Sequence, residues 1–268
     1  MTTISEAFDL SGQVGIVTGA GRGLGRAIAS RLAEAGATIV CADIDEATAA
    51  ETAALITATG AAASPARVDV THKAEVDALV DTTVAQHGRL DVMVNNAAII
   101  VDGLILDTSE EDLDRVHAVN FKGVFFGCQA AGRVMVEQRS GSIINMASGA
   151  IDIATPSLVC YATAKAAVAQ LSRTLAMELA AARVRVNAIA PGWIDTPMNE
   201  RHVLRPDGTI DAEKKRDYVE NRGAKLSPMG IPGEPDDIAF AALYLASPAA
   251  KFVTGIVMRP NGGSTMPW

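Results

Sequence analysis

The sequence predicts an α/β protein built on a doubly wound parallel sheet of about seven strands, with helices on both faces. Short apolar runs alternate with helical segments along the whole chain, the rhythm of parallel strands joined by crossover helices. The first apolar run passes directly into a glycine-rich turn and then a helix. Hydrophobic residues make up 49% of the chain but aromatic ones only 4%, so the core must be packed from Ala, Val, Ile and Leu. No linker-like stretch and no solenoid-length repeat divides the 268 residues, which predicts a single domain over 1–268.

In chain order, Val14–Thr18 is the first strand and Gly19-Ala-Gly-Arg-Gly-Leu-Gly25 the turn, opening a helix from Arg26 to Ala35. Glycines at 19, 23 and 25 let a ligand approach the backbone, and free N–H groups at a helix start attract phosphate. The spacing after Thr18 is GxxxGxG rather than the general GxGxxG. In its strand-to-helix setting it predicts a dinucleotide cradle, with Leu24 inside it and Arg22 on the pyrophosphate or the adenine face. The second strand, Ala37–Asp43, ends in a carboxylate twenty residues past Gly23, where an acid can accept both hydrogen bonds of a ribose. Ile44 beside it offers no cation for a 2′-phosphate, and Asp43 would repel one. NAD is therefore the expected cofactor rather than NADP.

The strand–helix pattern then repeats. A third strand is expected near Ala66–Asp69, followed by a helix from Lys73 to His87. The fourth strand, Leu90–Val94, ends in Asn95-Asn-Ala-Ala98. One long helix from about Ser109 to Gln138 leads to a strand at Ser142–Met146 and a helix from Val159 to Ala180. A strand at Val184–Ile189 breaks at Pro191-Gly-Trp193. A helix from Pro235 to Ala246 and a last strand near Gly255–Met258 close the chain.

Charge and cysteine usage narrow the classes. A formal charge of −8 and an isoelectric point near 5.0 argue against nucleic acid and anionic membrane as partners. Cys41, Cys128 and Cys160 cannot all pair and have no metal-ligand spacing, and His72, His87, His117 and His202 share none either. No metal is expected, and the histidines read as surface or structural. With no export signal and no apolar run of about 18 residues, a reduced cytoplasmic setting is the simplest reading.

The chemistry concentrates between Ser148 and Lys165. On a helix, Tyr161 and Lys165 stand at i and i+4 on one face. A free tyrosine has a pKa of about 10. A positive charge about 4 Å away, at an effective dielectric of about 20, is worth about 4 kcal/mol, or about three pKa units. The phenolate then becomes reachable near neutral pH, where a general base works best. Ser148, thirteen residues upstream at the end of a strand, can hold a substrate oxygen before the phenol.

Thr18-Gly-Ala-Gly-Arg-Gly-Leu-Gly25, Asp69, Asn95-Asn-Ala97, Asn120, Ser148, Tyr161-x-x-x-Lys165 and Pro191-Gly192 stand in family order. With them the chain resembles the classical short-chain dehydrogenases/reductases from about Leu10 to Gly263. The resemblance implies a Rossmann fold, with Tyr161 as acid/base and Ser148 polarising the substrate oxygen. Lys165 would lower the phenol pKa and hold the nicotinamide ribose, and Asn120 would support a water leading to solvent. Asp69 and Val70 would meet the adenine, Asn96 would lie near a ribose, and Ile194 and Thr196 would hold the carboxamide. A homotetramer is also implied, with Val116, Val119, Leu171 and Leu175 as compatible apolar positions. Ala98 in place of the usual glycine, Ile231 in place of a common arginine, and a lengthened segment between Thr196 and Gly230 depart from the pattern.

The expected reaction is reversible hydride transfer between NAD and a secondary alcohol or ketone. The rivals are a non-catalytic dinucleotide sensor, which has no need of Ser148, Tyr161 and Lys165 together, and a sugar-nucleotide epimerase or dehydratase of related fold. The expected pocket residues are Ala98, Ile99, Ile100, Ala150, Ile151, Asp152 and Trp193, an apolar set with one carboxylate. The excursion at about 198–228 holds seven basic and six acidic residues, a net +1 in a chain of −8, and reads as a substrate lid.

Overall fold

A computed structural model describes residues 2–267. The strands are β1 (Val14–Thr18), β2 (Thr38–Asp43), β3 (Ala63–Arg67), β4 (Val92–Asn95), β5 (Gly141–Met146), β6 (Val184–Ile189) and β7 (Val257–Met258). They form one parallel sheet in the order β3-β2-β1-β4-β5-β6-β7. The helices are α1 (Ile4–Phe8), α2 (Gly23–Glu34), α3 (Glu46–Thr57), α4 (Lys73–His87), α5 (Glu110–His117), α6 (Val124–Gln138), α7 (Val159–Leu179), α8 (Ala212–Asp217) and α9 (Pro235–Ala246).

Side-chain alternation along the strands divides the core into two layers. Val17, Ile39, Cys41, Val92, Val94, Ile144 and Ile189 face α2, α3 and α9, where they meet Ile28, Leu32, Ile56, Ile238 and Leu245. The intervening Ile16, Val40, Met93, Ile143 and Val186 face α4, α6 and α7, against Val76, Val80, Val124, Met135 and Val168. Both faces of the sheet are covered, as doubly wound sheets require. Strand order reverses between β1 and β4, and the crevice beyond their carboxyl ends is where ligands bind in such sheets.

Several boundaries differ from expectation. β3 begins three residues earlier and carries Pro65, tolerable because β3 is the sheet's edge. α2 starts at Gly23, three residues earlier than expected, so the end of the glycine turn is part of its first turn. The helix expected from Ser109 to Gln138 is interrupted by a π-helical turn at Ala118–Gly123, around Asn120. β7 is shorter because Gly255 has φ +76°, a left-handed geometry that ends an extended run.

The four apolar positions on the long helices lie on packed helix faces, one of them fully and three of them partly buried. Val116 is fully buried against Cys160 and Ala164, and Val119, Leu171 and Leu175 pack onto the α4–α6–α7 core. A helix–helix contact inside one chain and one between chains leave the same apolar stripe in a sequence. Among the described residues, no helix is long and apolar enough to cross a membrane.

Candidate active site

The carboxyl ends of β1, β4 and β5 open into a cleft of about 800 Å³. At one end lies the glycine turn. Gly19 and Gly23 have φ of +64° and +56°, which side-chain-bearing residues rarely adopt. A Cβ on Gly25 would fall 2.0 Å from the Gly19 carbonyl oxygen, so the helix can begin this close to the strand only with glycine there. The turn is braced from beneath. Thr18 Oγ1 accepts from the Asn96 and Ala97 amides at 3.0 and 3.2 Å, and Asn96 Nδ2 donates to the Thr18 and Gly19 carbonyls at 2.9 and 3.1 Å. Asn96 lines the cleft, but its amide is engaged in holding the turn.

Asp43 closes this end, its carboxylate accepting from the Gly21 amide at 2.9 Å and the Asp45 amide at 3.1 Å. Arg22, Leu24, Ile44, Asp69 and Val70 also line it. Burial raises the Asp69 carboxyl most of any single influence, but hydrogen bonds from Thr71 and the nearby His72 together hold it below its ordinary value. Open glycine backbone, a helix start and a carboxylate at the β2 terminus fit a dinucleotide with a free adenosine ribose.

The other half holds the reactive side chains. Ser148 follows the end of β5, and Tyr161 and Lys165 line the cleft from α7. Lys165 is 1% exposed, its Nζ donates to the Met146 carbonyl at 2.7 Å, and it stands 5.7 Å from the centre of the Tyr161 ring. Burial pulls the ammonium down from 10.5 to about 7. Burial also pushes the phenol above its ordinary value, while the Ser148 hydroxyl and the charge of Arg201 pull it back by less. The expected lowering of the Tyr161 pKa by Lys165 is thus not what the protein alone produces. Desolvation disfavours the charged form of both groups and is the largest influence on each.

Asn120 does not line the cleft. It is fully buried in the π-helical turn, with Oδ1 accepting from the Ile99 amide and Nδ2 donating to the Ile99 carbonyl, each at 2.8 Å. It pins the loop after β4 over the cleft instead of contacting its contents. Ile194 and Thr196, nearly buried after β6, line the junction of the two halves.

The pocket wall differs from the expected set. Ala98, Ile99, Ile100, Ala150 and Trp193 line the cleft, but Ile151 and Asp152 do not. Asp152 is held by Arg259 at 2.7 and 3.1 Å and by the Thr265 hydroxyl at 3.2 Å. A carboxylate this close in sequence to Ser148 finds its cation 107 residues away, which local spacing cannot reveal. His202, expected to be a surface or structural residue, lines the cleft beside Arg201, Tyr218 and Arg222. The net positive charge of the 198–228 excursion was the only trace of these residues in the sequence.

A dinucleotide cradle and a Ser–Tyr–Lys cluster sharing one cleft define the class, a dinucleotide-dependent oxidoreductase. Comparison with known proteins agrees. Residues 19–265 match the family model described as enoyl-(acyl carrier protein) reductase. The 3-oxoacyl-[acyl-carrier-protein] reductase of Thermotoga maritima is 37% identical, covering 95% of this chain and 98% of the relative. The 3beta-hydroxysteroid dehydrogenase 1 of Eggerthella lenta is 39% identical over 96% of this chain and 95% of its own. Among solved structures, a short-chain type dehydrogenase/reductase from Mycobacterium marinum superposes with a TM-score of 0.90 at 34% identity, covering 99% of this chain and 100% of that one. A gluconate 5-dehydrogenase from Burkholderia cenocepacia, in complex with NADP and tartrate, gives 0.88 at 35% identity, with 98% of each chain covered. The chain belongs to the short-chain dehydrogenase/reductase family, whose members are oxidoreductases using a nicotinamide dinucleotide.

Proposed function

We propose that this protein is a single dinucleotide-binding domain with a lid at about 198–228, catalysing reversible hydride transfer between NAD and a secondary alcohol or ketone in the cytoplasm. The supporting observation is that Ser148, Tyr161 and Lys165 open onto the same cleft as the glycine turn. When bound, the nicotinamide supplies the hydride chemistry. Gly19, Arg22, Gly23, Leu24 and Gly25 would hold the pyrophosphate region, Asp43 a ribose, and Asp69 and Val70 the adenine side. Ile194 and Thr196 would hold the carboxamide.

Ser148 orients the substrate oxygen toward the phenol. In reduction Tyr161 donates its proton to that oxygen, and burial favours this state by keeping the phenol protonated. In oxidation Tyr161 must first lose its proton, and Lys165 one turn away stabilises the resulting phenolate only while its own ammonium stays charged, which a bound dinucleotide would favour. Asn120 acts by fixing the Ile99 loop. Both proton positions lie on this chain's own residues, so no metal is needed.

Cofactor choice follows from Asp43. Its carboxylate and the aliphatic Ile44 give a 2′-phosphate repulsion and no partner, which supports NAD. The gluconate 5-dehydrogenase solved with NADP makes this the point to test. Nicotinamide absorbance, followed with NADH and NADPH over a panel of ketones, should show turnover with NADH preferred at least tenfold. Tyr161→Phe should abolish turnover while NADH still binds. Activity in Tyr161→Phe at any pH would overturn the mechanism. Equal kcat/KM for the two cofactors would overturn the role of Asp43.

A further inference from the structure

The walls of the cleft are charged in opposite senses at its two ends. The carboxylates lining it are Asp43 and Asp69, both at the glycine-turn end. The end beyond Tyr161 is walled by aliphatic residues such as Ile153, Leu158 and Leu226, and its charged members are Arg201 and Arg222. These two arginines are not equivalent. Arg201 is already engaged, with Nε and Nη2 on the Asp102 carboxylate at 2.7 and 3.4 Å and Nη1 on the Met198 carbonyl at 2.6 Å. Arg222 has no carboxylate within 4.0 Å among the described residues, and its guanidinium lies 5.4 Å from the centre of the Tyr218 ring. His202 beside them is held below its ordinary pKa by burial and by Arg201, so it brings no compensating charge of either sign near neutral pH.

The position of Arg222 is built. The next residue, Gly223, is buried against Trp193, where a Cβ would fall 2.2 Å from the ring. Tyr218 packs edge-on to Trp193 at 5.7 Å and stacks near His202 at 5.4 Å. This aromatic cluster seats the π-helical turn Tyr218–Gly223 on the cleft wall and holds the Arg222 guanidinium at its mouth. An exposed guanidinium with no carboxylate partner, at the rim of a pocket whose aliphatic wall is broken by Thr155, Trp193, Asn199, His202 and Tyr218, is a fork for a planar anion, and no lining carboxylate at that end competes for it.

Resting on the hydride-transfer reading above, we propose that the cleft selects keto or hydroxy acids, with the substrate carboxylate held by Arg222 at the lid and the carbinol or keto carbon at Tyr161. The probes are 4-acetylbenzoate and 4-oxo-4-phenylbutanoate, each against its methyl ester. Binding is measured to Tyr161→Phe loaded with NADH, so that it does not depend on turnover. Each acid should bind on the order of tenfold tighter than its ester, the margin of a charge-assisted over a neutral hydrogen bond. The preference should shrink as salt is added. Arg222→Ala should erase it, Arg222→Lys should keep part of it, and Arg222→Glu should reverse it. In the Tyr161 enzyme the Arg222→Ala loss should appear in KM for the acid rather than in kcat.

Equal affinity for acid and ester, or no measurable binding of either acid, overturns the proposal while leaving hydride transfer standing. So does an Arg222→Ala effect confined to KM for the dinucleotide, which would assign the guanidinium to cofactor phosphate. Acid-selective binding without turnover of any ketone would instead sink the hydride-transfer reading and keep the anion site.

Discussion

Lys165 is an ammonium almost wholly removed from water in the cleft. Its folded pKa, near 7, lies below the unfolded value near 10.5. Between those values the unfolded chain binds more protons, so the residue's destabilising effect is full below about pH 7 and fades as pH rises toward 10.5. A buried ammonium retained at such a cost is a mark of function. Lys165→Met should therefore stabilise the ligand-free protein by about 2 kcal/mol near neutral pH, after allowing for the lost Met146 hydrogen bond. Urea unfolding across pH checks this, and a gain that does not shrink on the alkaline side would refute it. Tyr161 makes a kinetic prediction of opposite sign in the two directions. Its phenol is raised, so alcohol oxidation should climb with pH while ketone reduction falls as the same group loses its proton. Parallel pH profiles in both directions would remove Tyr161 from the proton transfer. At the adenosine end, Asp43→Ala with Ile44→Arg should narrow or reverse the preference for NAD, read as the ratio of kcat/KM values.

At the level of elements, two tight contacts organise the cleft. The first is the start of α2 on β1, where Gly25 meets the Gly19 carbonyl. Gly25→Ala must push helix and turn apart, and NADH affinity should drop at least tenfold with the fold retained by circular dichroism. The second is the 198–228 segment on Trp193 through Gly223. This segment is also tethered by Arg201 to Asp102, and Lys215 to Glu200 at 2.8 Å is an ion pair within it. Residues 198–228 should gain hydrogen-exchange protection when cofactor and ketone bind, and Gly223→Ala should raise exchange there with little change elsewhere. Identical protection with and without ligands would leave this segment as an ordinary surface excursion. Both contacts involve glycines, where the absence of a side chain is what permits the approach.

For the whole molecule, the apolar surface left exposed bears on assembly. Val116 is buried in the chain's own core, whereas Val119, Leu171 and Leu175 pack onto it and stay partly exposed. Phe252 at 99% exposed, Met177 at 81% and Phe240 at 53% leave sizeable apolar surface in the second half of the chain. If the protein forms the homotetramer its family resemblance implies, light scattering at micromolar concentration should give about four times the chain mass of 27.8 kDa. Phe252→Asp should lower that mass, and a monomer in the wild type would refute the assembly.

The sequence by itself determined the layered sheet, the glycine turn, Asp43 at the end of the second strand, and the Tyr161–Lys165 pair. Each is written in a local period or spacing, and local spacing fixes geometry within a strand, a turn or a helix. Tertiary structure decided the rest. Asp152 looked like a pocket carboxylate until Arg259 reached it from the far end of the chain. Asn120 carried only the role its family resemblance implied, and the fold alone shows its amide closed on Ile99. The sequence marked the 198–228 excursion as a whole, but which of its residues reach the cleft, Arg201, His202, Tyr218 and Arg222 among them, was set by the fold. The Tyr161 pKa depends on how much water the fold removes, and desolvation is a property of the surrounding packing that no i, i+4 spacing encodes.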